Sequence, residues 1–82
     1  MPRYFFDTEN GHAHRDIEGT DLSGLAAARV HAIRYAGDVM SNEPGVLWDG
    51  NEFQVAVTDG GGTLLFTIAC KAHNAPAAGD TK

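Results

Sequence analysis

The segment Ser23–Asn42 has the clearest helical period in the chain, and it limits the fold to one substantial helix. At about 100° per residue its apolar side chains fall in one broad arc: Leu22, Leu25, Ala28, Ala32, Ile33, Ala36, Val39 and Met40. The opposite side carries Ser23, His31, Arg34, Asp38 and Ser41. Ser23 is a suitable N-cap because its hydroxyl accepts a main-chain N–H of the first turn. Pro44 disfavours a helical residue before it and predicts the end of the helix.

Four extended segments surround this helix in the sequence. They are Arg3–Asp7, His14–Glu18, Glu52–Thr58 and Thr63–Lys71. Asn10-Gly11 and Asp59-Gly60-Gly61-Gly62 are turn sequences that join them into two hairpins. Glu52–Thr58 alternates apolar and polar residues, whereas His14–Glu18 offers only Ile17 and is expected to be an edge strand.

These segments predict an α+β fold of the order β-β-α-β-β. A small antiparallel sheet has one helix packed on one face. Residues 1–71 are expected to form this single domain, and residues 72–82 a flexible C-terminal tail of small residues without periodicity.

One helix covers one face of such a sheet, so the other face needs an explanation. It would present Phe5, Ala56, Leu65, Thr67 and Ala69 among polar residues. A core of about a dozen large apolar side chains is marginal for a domain of this size. Both points favour a homodimer formed through the sheet face or a sheet edge. Trp48, in the connection Val46–Gly50, is expected to be a lid over the open end of the core, with a partner contact as the alternative.

Charge and cysteine content exclude several classes of partner. Six Lys and Arg residues oppose eleven Asp and Glu residues among 82, giving a net charge of −5. This balance disfavours nucleic acids and anionic membrane surfaces. The single cysteine, Cys70, cannot form an internal disulfide, and no cysteine pair has zinc-ligand spacing. With no membrane-spanning run and no signal peptide expected, the predicted location is cytoplasmic.

Three pieces of sequence together resemble a known family. They are Pro2-Arg3-Tyr4-Phe5-Phe6-Asp7, the step Asp16-Ile17-Glu18-Gly19, and the helix start Leu22–Arg29. In this order and spacing they are similar to a family of short proteobacterial proteins catalogued as a domain of unknown function. The resemblance spans about residues 2–71. It supports the order of elements and implies no activity, cofactor or catalytic residue. Members commonly have an acidic N-cap where this chain has Gly24, which leaves Ser23 as the expected cap.

Arg29 is the charged residue that the helical arc places among apolar neighbours. An unpaired buried charge is costly, so Arg29 is expected to reach the solvent or to pair with a carboxylate. Asp7, Asp16 and Glu18 of the first hairpin are the candidate partners, which would clasp helix to sheet. Alternatively, Arg29 binds an anion at the rim of a pocket.

His12 and His14 are the candidate metal ligands, because residues two apart on a strand face the same side. His31, His73 and the carboxylates of Asp16 or Glu18 are possible further ligands. The alternative is a pair of exposed turn histidines beside Asn10-Gly11. No nucleophile and base share a recognisable catalytic spacing, so no catalytic residue and no cofactor is predicted.

The sequence therefore favours a small interaction or regulatory module that self-associates or binds a protein, and leans away from an enzyme. The alternative is a small-ligand or metal-binding protein that uses His12, His14 and the Arg29–carboxylate region. Under either hypothesis the candidate binding residues are Arg29, Asp16, Glu18 and Trp48.

Overall fold

A computed structural model describes residues 2–79 of the chain. The elements in order are β1 (Arg3–Glu9), β2 (Ala13–His14), β3 (Thr20–Asp21), α1 (Leu25–Asn42), α2 (Gly45–Trp48), β4 (Glu52–Asp59), β5 (Leu64–Lys71) and α3 (Pro76–Gly79). Strands, one main helix and strands follow each other as predicted. The α+β class and the antiparallel sheet are confirmed.

The sheet has the strand order β2-β1-β4-β5, and β3 also pairs with β1. Every neighbouring pair is antiparallel. The β4–β5 turn is closed by Asp59, whose Oδ1 accepts the main-chain N–H groups of Gly61 (2.9 Å) and Thr63 (3.0 Å). Gly62 lies in the left-handed region at φ 85°, which glycine adopts without strain. The register shifts between Val57, which pairs with Phe66, and Thr58, which pairs with Leu64, so Leu65 is left without a partner on β4.

The core lies between α1 and the strands β1 and β4. The large side chains come from the sheet: Tyr4, Phe6, Phe53, Val55 and Val57 are all buried. The helix contributes three buried alanines, Ala28, Ala32 and Ala36. Alanines four apart lie above one another on a helix face. This seam lets the helix backbone come close to the aromatic side chains of the sheet.

The predicted apolar arc of α1 is confirmed at Ala28, Ala32 and Ala36, which are buried, and is wrong at its edge. Ile33, expected in the buried arc, is 64% exposed, and Arg29 is also exposed. His31, expected on the polar side, packs on Phe6 with ring centroids 4.6 Å apart. The predicted arc contains both alanines and large aliphatic residues, and the sheet already fills the core with bulky side chains. The smallest helix residues therefore face it.

The start of α1 also differs from the prediction. Gly24, not Ser23, is the N-cap, and no side chain caps the first turn. Gly24 O accepts the first helical hydrogen bond, from Ala28 N at 3.0 Å. The end of the helix at Asn42, ahead of Pro44, agrees with the prediction.

The predicted edge strand His14–Glu18 does not form. Two strands of two residues each, β2 and β3, pair with the ends of β1 instead. The chain between them, which we call loop 15–19, leaves the sheet. The loop leaves the sheet because the side chain of Asp16 accepts the main-chain N–H of Phe6 in β1, a hydrogen bond that a neighbouring strand would otherwise accept.

The connection before β4 is a short helix, and the lid interpretation of Trp48 is wrong. Val46 and Leu47 of α2 pack against the core, whereas Trp48 is 51% exposed. After β5, Ala72 is buried and donates its N–H to Asn51 O at 3.1 Å. The predicted flexible tail begins at this residue, and its last residues, 80–82, lie outside the described part of the chain.

Candidate functional site

Loop 15–19 is held against the edge of β1 by the carboxylate of Asp16. Asp16 Oδ2 accepts the N–H of Phe6 at 3.1 Å. Its Oδ1 accepts the N–H groups of Glu18 (3.2 Å) and Gly19 (3.0 Å), which is the geometry of an Asx turn. Asp16 N in turn donates to Asp7 Oδ1 at 2.8 Å. The side chain thus closes the gap between β2 and β3.

Gly19 and Arg3 fix the far end of the loop. Gly19 has φ 73°, and a Cβ there would lie 2.9 Å from both Arg3 Cγ and Phe5 Cε2. Glycine is therefore required both by the backbone conformation and by the space available. Arg3 donates to the main-chain oxygen of Glu18 and forms a salt bridge with Asp21 at 3.0 Å. These contacts define the position of the loop backbone relative to β1.

A groove of about 480 Å³ separates this loop from α1. Phe6 forms part of its lining from the sheet, and His31 and Tyr35 line it from the helix. Tyr35 meets the ring of Phe6 edge-on, with centroids 6.5 Å apart. The loop and its flanks contribute the remaining lining residues: His14, Arg15, Asp16, Ile17, Glu18 and Thr20. We call this cleft the loop–helix groove.

The structure places the predicted site residues in three separate regions. Asp16 and Glu18 line the loop–helix groove, together with His14, His31 and the unpredicted Tyr35. Trp48 lies on α2, and Arg29 is exposed on α1; neither lines the groove.

The predicted clasp between Arg29 and the first hairpin is wrong. Within residues 2–79, Arg29 forms no salt bridge with Asp7, Asp16 or Glu18. The carboxylates of Asp7 and Asp16 bind main-chain N–H groups instead. The cation that holds this hairpin is Arg3, through Asp21 and the main chain of Glu18.

The turn before β2 places His12 and His14 in different surroundings. His14 belongs to β2 and lines the groove, whereas His12 precedes the strand and does not. In the part of the chain that the structure describes, no three His, Cys, Asp or Glu side chains are grouped so that they could hold a metal ion. His14 and His31 both line the groove, and the sequence could not place them there together because this depends on how α1 is rotated over β1. The Asp16–Gly19 spacing, typical of an Asx turn, was the signal that could have located the loop.

Comparison with known proteins adds a family and no activity. None of the helices within residues 2–79 is long and apolar enough to cross a membrane. Neither the curated proteins nor the solved structures contain a significant match to this chain. A family model described as a domain of unknown function, DUF6894, matches residues 3–71, and the chain belongs to that family.

Proposed function

We propose that this protein is a small interaction module that works as a homodimer, with two copies joined along their β5 strands. The observation that carries the proposal is the contrast between the two edges of the sheet. Unpaired edge strands are pairing sites unless short length, charge, proline or a covering segment protects them.

One edge of the sheet is protected. The outer side of β1 is occupied by β2 at Thr8 and Glu9 and by β3 at Arg3 and Tyr4. Between these strands the N–H of Phe6 is bound by Asp16. Little of the β1 edge is left free for another chain.

The other edge is open and poorly protected. Strand β5 has eight residues and pairs only with β4 in the described part of the chain. From Leu64 to Cys70 it contains no charged residue, proline or glycine, and Lys71 at its end is its one charge. Leu64 is 59% exposed. An antiparallel pairing of β5 with its copy would satisfy the free main-chain groups and cover these side chains.

The flank of α1 nearest to β5 also has an exposed apolar side chain, which would extend the proposed interface. His31 lies towards loop 15–19 because it lines the groove there. Ile33, about 200° further around the helix axis, lies on the opposite flank and therefore on the β5 side. Ile33 is 64% exposed there. Phe66 and Ile68 of β5 are only half-buried beneath this flank.

A dimer, and not a longer assembly, follows from having one open edge. Two antiparallel β5 strands related by a two-fold axis use each other's edge completely. The protected β1 edges would then form both ends of the continuous sheet. The exposed sheet face around Ala56 is the alternative surface for self-association.

We propose that the module is located in a bacterial cytoplasm. There it would self-associate, and its role would be regulatory or the binding of a protein partner. The support is the resemblance to short proteobacterial proteins and the free thiol of Cys70, which suits a reducing compartment.

Light scattering coupled to gel filtration, together with native mass spectrometry, tests the proposal at tens of micromolar protein. The expected mass is twice the 8.7 kDa of the chain. The double variant Thr67→Lys with Ala69→Lys puts like charges on two exposed positions of β5 and is expected to yield folded monomer. Ala13→Lys, on the protected edge, is the matched control and should remain dimeric.

A third variant separates the edge from the sheet face. Ala56→Lys introduces a charge at the centre of the open face, on β4. If the edge joins the two copies, this variant remains a dimer. A monomeric wild type would contradict the proposal, and a monomeric Ala56→Lys variant would move the interface to the sheet face.

A further inference from the structure

The turn between β1 and β2, residues 10–12, contains the only Asn-Gly step of the chain, Asn10-Gly11. The main-chain nitrogen that follows an asparagine can attack its side-chain amide. Glycine in the following position favours this attack, because it has no Cβ in the way and its backbone is less restricted. The other three asparagines each precede a residue with a Cβ: Asn42, Asn51 and Asn74.

The fold holds neither of the two groups that would react. Within residues 2–79, the side-chain amide of Asn10 makes no hydrogen bond, and the N–H of Gly11 has no acceptor. Gly11 is exposed, with φ 102°, and a Cβ there would have no atom within 4 Å. One long main-chain bond, from Asn10 N to His12 O at 3.4 Å, spans the turn. The turn therefore leaves Gly11 N free to approach Asn10 Cγ.

Two comparable steps elsewhere in the chain are restrained. Asp59 also precedes a glycine, but its Oδ1 accepts two main-chain N–H groups of the turn that follows. After Asn42, the N–H of Glu43 donates to Val39 O at 2.9 Å, which keeps that nitrogen in the helix cap. Asn10 thus combines the most reactive neighbour with the least restrained surroundings.

We propose that Asn10 is a site of spontaneous deamidation and that the isoaspartyl product loosens β2 from β1. Gly11 N bonds to Asn10 Cγ, the Cγ–Nδ2 bond breaks, and ammonia leaves with the proton of the Gly11 N–H. Water then opens the cyclic imide at either carbonyl. Opening at Cγ gives aspartate, and opening at the former main-chain carbonyl gives isoaspartate. Water is the only other reactant, and nothing is oxidised or reduced.

The isoaspartyl product lengthens a turn that closes a very short strand pair. Strand β2 has two residues, and they pair as Thr8 with His14 and Glu9 with Ala13. Three residues join the second of these pairs. An isoaspartyl link adds one methylene to this main chain, so the pair next to the turn should be lost first. Strands this short have little else to hold them.

Both products also add a carboxylate to an acidic hollow. Asn10 lines a hollow of about 260 Å³ with Glu9, Gly11, Gly50, Glu52 and Gln54. The lining contains two carboxylates and no cation, so a third negative charge is repelled. The hollow is open to solvent, which keeps this repulsion small. The added methylene is therefore the larger effect.

Loosening β2 would uncover part of the protected β1 edge. Thr8 and Glu9 would lose their partners, whereas the N–H of Phe6 would remain bound to Asp16. An uncovered strand edge is a site for pairing with another chain. The inference rests on the turn and not on the β5 dimer, so either proposal can fail without the other.

Incubation of the purified protein in mildly alkaline buffer, followed by peptide mass spectrometry, tests the reaction. The peptide that contains Asn10 should gain the mass difference between an amide and an acid, with both aspartate and isoaspartate present. Peptides that contain Asn42, Asn51 and Asn74 are internal controls and should convert several-fold more slowly. Asn10→Gln keeps an amide but would have to form a larger ring, so it should stop the conversion at this position.

Amide hydrogen exchange tests the structural consequence. The isoaspartyl form, separated from the unmodified protein by ion exchange, should exchange faster across residues 8–14. The amide of Phe6 should be unchanged, because its acceptor belongs to loop 15–19. Asn10→Asp has the charge without the added methylene, and its increase should be smaller.

Three results would overturn the inference. The first is an Asn10 that stays unmodified, or that converts no faster than Asn74. The second is equal exchange across residues 8–14 in the unmodified and isoaspartyl forms, which would show that the turn absorbs the methylene. The third is an increase in Asn10→Asp as large as in the isoaspartyl form, which would assign the effect to charge.

Discussion

Replacing Asp16 by alanine is expected to remove the interaction that fixes loop 15–19 to the sheet. Three main-chain N–H groups lose their acceptor, those of Phe6, Glu18 and Gly19. The Glu18 bond is exposed, so water replaces it at little cost. The Phe6 and Gly19 bonds are partly buried, and each bond to a charged acceptor contributes about 1.5 kcal/mol at the lower end of the usual range. Asp16→Ala should therefore lower the free energy of unfolding by about 2 to 3 kcal/mol.

Urea unfolding at one fixed protein concentration measures this loss, because a dimer would make stability depend on concentration. The midpoint should fall without a change in the slope. In Asp16→Ala, amide hydrogen exchange should be faster than in the wild type at Phe6 and Gly19, and the increase should be larger there than in β4. Asp16→Asn keeps one carbonyl acceptor, so its free energy of unfolding should fall by about half as much as that of Asp16→Ala.

Asp38→Asn is the matched control, since Asp38 is exposed on α1 and accepts no hydrogen bond from residues 2–79. It should stay within about 0.5 kcal/mol of the wild type. The reasoning would be refuted by an Asp16→Ala variant equally close to the wild type, or by an equal loss in Asp38→Asn.

Four further substitutions test the packing. Gly19→Ala should destabilise the protein by about 1 to 3 kcal/mol, because Gly19 has a positive φ and no space for a Cβ. Gly37→Ala should stabilise α1 by about 0.5 to 1 kcal/mol, because a Cβ at Gly37 would have no atom within 4 Å. Thermal unfolding of both variants distinguishes a loss from a gain of stability. Ala32→Leu should cost about 1 to 3 kcal/mol in urea unfolding by overpacking a fully buried position, and an unchanged midpoint would show that the seam is not tight. Arg29→Met should leave the midpoint within about 0.5 kcal/mol, since its side chain is exposed, and a large loss would restore the predicted clasp.

The elements that could be predicted are those that local sequence decides. The alternation in Glu52–Thr58 and the glycine turn after Asp59 specify a hairpin within one short stretch of chain. Pro44 specifies the end of α1 by a steric effect on its neighbour. Each of these signals acts between residues that are close in sequence.

The parts that could not be predicted depend on contacts across the fold. The rotation of α1 follows from the bulk of the sheet side chains beneath it, which a helical wheel does not contain. The loss of the edge strand at His14–Glu18 follows from a side chain, Asp16, that takes the place of a main-chain acceptor. The loop–helix groove combines both effects, so neither His31 nor Tyr35 could be assigned to it from periodicity alone.

The open β5 edge and the loop–helix groove have one physical origin, which is the width of the helix relative to the sheet. A helix with its side chains is about 10 Å across, and strands are about 4.8 Å apart. Centred over β1 and β4, α1 reaches about 5 Å to each side, whereas the next strand on either side lies about 7 Å from the midline. Alanines at the contact narrow its reach further. β5 is therefore left half-covered on one side, and on the other side the chain beyond β1 stands apart from the helix and leaves a groove. A second copy can cover the first gap because an edge strand matches itself. The second gap remains open as the loop–helix groove, because Asp16 holds loop 15–19 to β1 and not to the helix.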